Sequence, residues 1–422
     1  MGYGVGDYHW WEYAIMPLMS GIVGYVTNRV ALYMTFEPLE FVGYPFFRMK
    51  DQPWGLFGWQ GIIPTKAAKM AAQSCDLMQE KLINVKEVFS RLDPAKFAEV
   101  MEPGLITLMD QIINETAAEF MPTVWEYLST RVRDECVLKA LEESPVFLNN
   151  FMADVKEHIE DVFDLKTMVV TKLTANKALL NKVFQDCGDK ELVFVANSGF
   201  YFGFLFGVCQ MVLWWFYDEN WLLPACGFVV GYLTNWIALK IIFEPVEPKA
   251  IFGCCGPKFQ GLFLTRQNAV AEIFGHINAN EVLNTPALWE AILTGPRKAN
   301  FMALLRAHAI IFTENLAGGL KPVVIATLGA EKFKKMKEDI AIKTMEQLPT
   351  IIHFSYDYTT EALQMQKTIT EAMKKLSSQE FEAVLHPVFQ EDELKLILVG
   401  AALGLGVGVF QLYFIFQPFW DN

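Results

Sequence analysis

The chain contains the stretch GYVTNRVAL at residues 24–32 and a closely similar stretch, GYLTNWIAL, at residues 231–239. Each is followed at the same interval by Phe-Glu-Pro, at residues 36–38 and 243–245, so both blocks recur at an offset of 207 residues. Within each block, an apolar run carries Thr-Asn and then stops at a proline. Because proline disfavours a helical conformation in the residue before it, we expect a helix to end at each Phe-Glu-Pro.

Further blocks recur in the same order along the chain. They lie at residues 60–66 and 260–266, at Asn84 and Asn278, and at residues 183–186 and 388–391. Ordered, repeated blocks of this kind are typical of an internal duplication. The sequence therefore predicts two copies of one unit.

Four apolar stretches are long enough to cross a bilayer, which takes roughly 20 residues of helix. They lie at residues 10–36, 192–217, 221–243 and 394–416. The rest of the chain divides into two interfacial segments, 37–71 and 244–271, and two extramembrane domains, 72–190 and 272–392. We predict a mainly α membrane protein with four transmembrane helices in two parallel span–domain–span repeats. Both largely helical domains then lie on one side of the membrane, because each repeat has an even number of spans.

Helical periodicity is clear in the first domain. Leu105, Leu108, Met109 and Ile112 have the spacing of one helix face and follow Pro103-Gly104. We expect an amphipathic helix to begin at that Pro-Gly pair and to bury these four side chains.

The charges indicate the orientation. Lys and Arg flank the spans on the domain side, whereas the short segments on the other side carry only Asp and Glu. The domains are therefore expected on the cytosolic (or stromal or matrix) side, with the termini and the hairpin between the second and third spans opposite. The sequon at Asn114 is accordingly predicted to be unglycosylated, and Trp214, Trp215, Tyr217 and Trp221 are expected to form an aromatic belt.

The repeated blocks resemble the membrane proteins of domain-of-unknown-function family 445, the YheB-like proteins. The resemblance rests on Gly-Tyr-x-Thr-Asn-x-x-Ala with its Phe-Glu-Pro, on FQEDE at residues 389–393, and on the glycine-spaced last span that ends at Gln411. It implies a membrane location and helical domains. It supplies no reaction and no catalytic residue.

Polar residues inside apolar spans are costly and often functional. Here they are Thr27, Asn28, Thr234 and Asn235. We favour a structural interpretation, in which they bond between helices or to nearby backbone. The alternative is a polar conduit.

Basic residues near the predicted interface are candidates for contact with lipid headgroups. They are Arg29, Lys66, Lys69, Lys240 and Arg266. Lys66 and Arg266 follow apolar segments that are too short to span, at residues 54–64 and 251–264, and such segments usually lie in the interface.

Small residues recur at every fourth position of the second and fourth spans, at Gly199, Gly203, Gly207, Gly400, Gly404 and Gly408. This spacing lets two helices approach closely in lipid. We expect contact between the second and fourth spans, or contact between chains in an oligomer.

The charge and the residue types exclude several classes of function. The net charge of −13 argues against a nucleic-acid partner, which would need a basic face. The His and Cys residues have no metal-ligand spacing and no nucleotide-binding or catalytic motif is present, so we predict no catalytic residue, no metal, no cofactor and no enzyme activity. Expected partners are membrane lipids and further copies or subunits of a membrane complex.

The leading hypothesis is a non-enzymatic, structural membrane scaffold that contacts lipid and self-associates or joins a larger assembly. A second is a protein that binds or transfers lipid or another hydrophobic ligand, with an apolar cavity near Lys66 and Arg266. A third is a small-solute transporter or channel with a polar path past Asn28 and Asn235.

Overall fold

The computed structural model describes residues 10–44, 52–55, 57–217, 219, 221–250, 258–318, 321–385 and 393–413. Most of these residues are helical. The segment 251–257 and the repeated block at 388–391 lie outside the described residues.

Four helices are long and apolar enough to cross a membrane, as predicted. We call them spans 1 to 4: Tyr13–Phe36 (within the helix Trp10–Phe36), Asp189–Phe216, Leu222–Phe243 and Glu393–Gln411. Spans 1 and 3 end at the Phe of Phe-Glu-Pro, where Glu37–Pro38 and Glu244–Pro245 are cis. The predicted end of the fourth span, residue 416, lies outside the described residues.

The spans pack as two pairs. Span 1 runs along span 2 and span 3 along span 4, with further contacts between spans 2 and 3 and between spans 1 and 4. Large apolar side chains such as Tyr201, Leu205 and Val229 remain exposed on their outer faces. Such surfaces suit lipid, whose tails are as apolar as leucine.

The chain divides into two compact units, and each takes segments from both halves of the sequence. The membrane unit comprises Met1–Leu77, Leu173–Phe274 and Thr370–Asn422, and the helical unit comprises Met78–Lys172 and Gly275–Ile369.

Besides the spans, the membrane unit contains short helices and small antiparallel sheets. The helices are Ile62–Thr65, Ala67–Leu77, Leu165–Ala175 (in part), Lys177–Cys187, Leu262–Thr265, Gln267–Ile277 (in part), Met365–Lys375 (in part) and Ser378–Leu385. One sheet has the strand order Val42–Gly43, Gly58–Trp59, Trp54–Gly55, and the other pairs Lys249–Ala250 with Lys258–Phe259.

The apolar segment near residue 60 packs against the end of span 1. The Trp59 indole donates to the Met34 carbonyl oxygen at 3.2 Å, and Ile62 and Ile63 are buried. Phe57, in contrast, is 84% exposed at the turn of the small sheet. This part of the segment predicted as interfacial is thus a sheet and one helical turn.

The helical unit is built from long helices of both halves. Pro94–Phe120 packs against Thr130–Glu157 and Ala330–Ile351, and Lys298–Ala317 packs against the same two helices. Shorter elements complete it: Met78–Leu82, Val85–Ser90, Pro122–Tyr127, Ile159–Val162, Asn278–Val282, Thr285–Thr294, Lys321–Leu328, Ile352–Ser355 and Tyr356–Leu363.

The predicted burial of Leu105, Leu108, Met109 and Ile112 is confirmed. The predicted helix start at Pro103 is wrong, because the helix begins at Pro94. The Asp93 carboxylate accepts a hydrogen bond from the Ala95 backbone N–H at 3.0 Å. An Asp cap followed by proline in the first position is a stronger start signal than a later Pro-Gly pair.

The sequence match of Asn84 with Asn278 is also wrong. Asn84 and Asn284 both begin a helix, each accepting a hydrogen bond from the backbone N–H three residues on, at 3.0 and 3.1 Å. Each follows a π-helical turn, Met78–Leu82 and Asn278–Val282. Asn278 therefore belongs to the turn and not to the cap.

Candidate functional site

The two intramembrane asparagines join the helices of each span pair. Asn28 is fully buried, and its Nδ2 donates to the Val195 carbonyl oxygen on span 2 at 2.7 Å. Asn235 is 4% exposed, and its Nδ2 donates to the Leu396 carbonyl oxygen on span 4 at 2.9 Å. These hydrogen bonds to the backbone offset part of the free-energy cost of burying an amide group in an apolar environment.

The neighbouring threonines bond within their own helices. The Thr27 hydroxyl donates to the Gly24 carbonyl oxygen at 3.1 Å, and the Thr234 hydroxyl to that of Gly231 at 3.4 Å. Both threonines are buried.

We call the glycines at every fourth position the glycine stripes: Gly199, Gly203 and Gly207 on span 2, and Gly400, Gly404 and Gly408 on span 4. They lie against the backbone of the other span of the pair. A Cβ atom on Gly199 would lie 2.2 Å from the Gly24 carbonyl oxygen, and one on Gly404 would lie 2.1 Å from that of Gly227. The other members of the stripes, Gly203, Gly207, Gly400 and Gly408, face spans 1 and 3 with similarly little room.

The expected contact of these glycines between spans 2 and 4 is therefore wrong. Each stripe meets the other span of its own pair, because that span offers its own glycine at the crossing: Gly24 on span 1 and Gly227 and Gly231 on span 3. A stripe on one helix does not identify its partner, so sequence spacing alone could not distinguish these arrangements.

A further hydrogen bond joins spans 1 and 2. The buried Ser20 hydroxyl donates to Gln210 Oε1 at 3.1 Å. Near the same end, Trp214 is 1% exposed and packs with Met16 and Leu223, so its assignment to an aromatic belt is wrong. With 3.6 residues per turn, adjacent residues on a helix point in different directions, so Trp215 faces outward although Trp214 is buried. Tyr217 and Trp221 are also exposed.

All five candidate lipid-binding cations lie at the surface or partly so, and Arg266 is half-buried. Arg29, Lys69 and Lys240 are exposed and Lys66 is half-buried. Lys240 forms an ion pair with Glu244, one helical turn further on.

Arg266 has a different environment. Its Nη1 donates to both carboxylate oxygens of Glu191, at 2.9 and 2.6 Å, and its Nη2 donates to Asp189 at 3.2 Å. Burial by itself lowers the pKa of Arg266, but the hydrogen bonds to Glu191 and Asp189 outweigh it and raise the pKa. The Glu191 side chain is only 5% exposed, so the guanidinium neutralises a buried carboxylate of the protein.

A small apolar cavity of about 50 Å³ lies beside this ion pair, between Glu191, Phe184 and Phe263. It has room for a water molecule or two and is far too small for a lipid chain. Cys187 also borders it, and burial raises the pKa of this thiol to about 12, which makes it a poor nucleophile.

A larger, open groove of about 780 Å³ lies at the end of span 3. We call it the span 3 groove. Its apolar side chains are Trp236, Ile237, Ile241, Pro245, Val246 and Phe259, and its charged ones are Lys240, Lys249, Glu244, Glu247 and Glu382. Of these, Lys240 alone was a candidate lipid-binding residue from the sequence. Glu382 comes from a segment distant in the sequence, and no spacing rule joins it to span 3.

Comparison with known proteins supports the membrane assignment. No protein-family model and no solved structure matches the chain. A UPF0754 membrane protein of Trichodesmium erythraeum (strain IMS101) is 28% identical over 105 residues, which is 25% of this chain and 24% of the relative. A UPF0754 membrane protein of Synechococcus sp. (strain JA-2-3B'a(2-13)) is 26% identical over 104 residues, 24% of this chain and 23% of the relative.

The match covers about a quarter of the length of these relatives. Together with the four apolar helices, these similarities define a mainly helical integral membrane protein.

Proposed function

We propose that the chain is a non-enzymatic membrane scaffold, which contacts lipid and self-associates or joins a larger membrane assembly. The observation that carries this proposal is that the polar and small residues of the spans join one span to its neighbour. Asn28 and Asn235 bond to the backbone of the neighbouring span, and the glycine stripes bring the same helices together. These contacts hold neighbouring spans together, and they favour a structural role over a polar path for solutes.

The proposal includes two copies of one span–domain–span unit. Asn28 with Val195 and Asn235 with Leu396 make equivalent bonds at positions that the repeated sequence blocks equate. Equivalent contacts at equivalent positions support a duplication better than sequence similarity alone.

The helical unit supports the scaffold role because both halves of the chain build it. Lys172 from the first half donates to the Val282 carbonyl oxygen at 3.1 Å and to Asn284 Oδ1 at 3.3 Å. His308 from the second half lies 2.7 Å from the Asp154 carboxylate. A single unit held by such cross-contacts offers one continuous surface for partner proteins.

The cytosolic (or stromal or matrix) orientation of this unit is part of the proposal and rests on the Lys and Arg around the spans. The Asn114 sequon is a poor test of it. Asn114 lies inside a helix and bonds to the Asp110 carbonyl oxygen at 2.8 Å, and Thr116 is 3% exposed. The exposed Cys136 is a better probe, because its accessibility to a membrane-impermeant reagent reports the side directly.

Self-association would use the outer faces of the spans, since the glycine stripes are occupied within the chain. Tyr201, Phe204 and Leu205 give span 2 a large apolar outer face, with exposures of 69, 44 and 57%. Large exposed apolar patches commonly mark interaction surfaces, although in a membrane lipid also covers them.

The test is native mass spectrometry of the chain released gently from its own membrane. The proposal predicts a discrete oligomer, or a complex of fixed composition. A monomer at every concentration, with no lateral partner in the native membrane, would contradict it.

A second candidate function, lipid or hydrophobic-ligand binding, is favoured by the span 3 groove. The groove lies at Lys240 and not at the predicted cavity near Lys66 and Arg266. The two functions are compatible, because a scaffold that contacts lipid needs specific lipid sites.

A further inference from the structure

We propose that the span 3 groove binds one zwitterionic phospholipid, with its phosphate at the lysines, its ammonium group at the glutamates, and an acyl chain along span 3. The proposal deepens the lipid contact of the proposed scaffold and rests on the membrane location of the spans.

The charges of the groove fit a headgroup that carries both signs. The groove holds the ammonium groups of Lys240 and Lys249 and the carboxylates of Glu244, Glu247 and Glu382. Lys240 and Glu244 pair with each other, and Gln379 donates to Glu247 Oε1 at 3.2 Å, so a headgroup phosphate would add to the first contact and an ammonium group to the second. Charge-assisted hydrogen bonds from lysine suit a phosphate, and carboxylates suit a primary or quaternary ammonium group. A headgroup with net negative charge is disfavoured, because the glutamates outnumber the lysines.

The aromatic side chains add to this match. Trp236 is 42% exposed and Phe259 is half-buried, and both line the groove. Faces of aromatic rings attract cations, and this includes the quaternary ammonium of choline.

The outer face of span 3 leads from the membrane interior to the groove. Val229, Leu233, Trp236 and Lys240 follow helical spacing and share one side of the helix. Val229 and Trp236 are 50% and 42% exposed, and Lys240 is also exposed. An acyl chain on this face would bring its headgroup to Lys240.

The first half of the chain lacks the equivalent lysines. At the offset of 207 residues, Tyr33 and Val42 stand where span 3 and its following strand have Lys240 and Lys249. The site is therefore a property of the second half alone, which makes a general affinity for the membrane surface an insufficient explanation.

The test titrates the purified, delipidated full chain separately with dioleoyl phosphatidylethanolamine, phosphatidylcholine and phosphatidylglycerol, and follows binding by native mass spectrometry. We expect one molecule of a zwitterionic lipid to bind about tenfold more tightly than phosphatidylglycerol. Lys249→Glu should weaken this binding at least about tenfold, since it removes one charge-assisted contact and adds a repulsive one. Lys86→Glu, a matched charge reversal at an exposed lysine of the helical unit, should leave it unchanged.

Preferential binding of phosphatidylglycerol would overturn the proposal, and so would equal effects of the two substitutions. Circular dichroism of each variant checks folding, and Lys249→Gln provides a milder change with the same expected direction. The masses in the same spectra report oligomeric state, so loss of lipid selectivity and failure of the scaffold proposal are distinguishable.

Discussion

A matched pair of substitutions on span 4 tests whether the glycine stripe fastens the spans. A Cβ atom on Gly404 would lie 2.1 Å from the Gly227 carbonyl oxygen, whereas one on Gly406 would have no neighbour within 4 Å among the described residues. Ordinary carbon contacts need about 3.5 Å, so Gly404→Ala must push spans 3 and 4 apart by roughly 1.4 Å at this point. Overpacking of this kind costs about 1–3 kcal/mol.

Gly406→Ala should be neutral or stabilise slightly, by up to about 1 kcal/mol, because alanine is the better helix former. The two variants add the same methyl group to the same helix two residues apart, so their difference isolates the packing. The assay is reversible unfolding of the full chain in mixed micelles with increasing dodecyl sulfate, followed by circular dichroism. Equal stabilities of the two variants, or greater destabilisation by Gly406→Ala, would refute the reasoning.

Three further predictions concern other groups. Asn28→Leu removes the hydrogen bond to the Val195 carbonyl oxygen and should lower the free energy of unfolding, measured in the same micelles, by about 1–2 kcal/mol. Solute flux across proteoliposomes should not change. Loss of flux in a variant that stays folded would support a conduit instead. Arg266→Gln leaves the Glu191 carboxylate buried without its partner and should cost about 3–5 kcal/mol in thermal unfolding experiments, and adding Glu191→Gln should recover part of the loss. In sealed native vesicles of known orientation, an impermeant maleimide should label the exposed Cys136 only from the cytosolic (or stromal or matrix) face, and labelling from the opposite face would reverse the proposed topology.

The spans were predictable because hydropathy and length act locally. A run of apolar residues closed by Phe-Glu-Pro needs no tertiary information, and spans 1 and 3 end at Phe36 and Phe243 as expected. The burial of Leu105 and Ile112 was predictable for the same reason, since helical spacing defines one face of a helix.

The partners of the polar and small residues were not predictable. Arg266 and Glu191 are 75 residues apart and come from different halves of the chain, so no spacing rule connects them. The same limitation applies to the stripe at Gly199, for which span 1 and span 4 are equally plausible neighbours from spacing alone.

The sequence pattern also could not predict which segments of the chain make up each compact unit. Each predicted extramembrane domain is continuous in sequence, whereas the helical unit joins Met78–Lys172 to Gly275–Ile369. Contacts such as that of Lys172 with Asn284 depend on how two similar halves pack together. A duplicated sequence has the same local pattern whether its halves stay separate or combine.

The central claim is that small and polar residues fasten the spans in pairs within one chain. Disulfide formation tests it most directly, because the Ser20 hydroxyl on span 1 lies 3.1 Å from Gln210 Oε1 on span 2, and cysteine at these two positions adds no side chain to a glycine. In an otherwise cysteine-free chain in native membranes, Ser20→Cys with Gln210→Cys should form a disulfide within the monomer, and Gln210→Cys with Gln411→Cys, on spans 2 and 4, should not. Cross-linking of the second pair, or cross-linking of the first pair only between chains, would contradict the account.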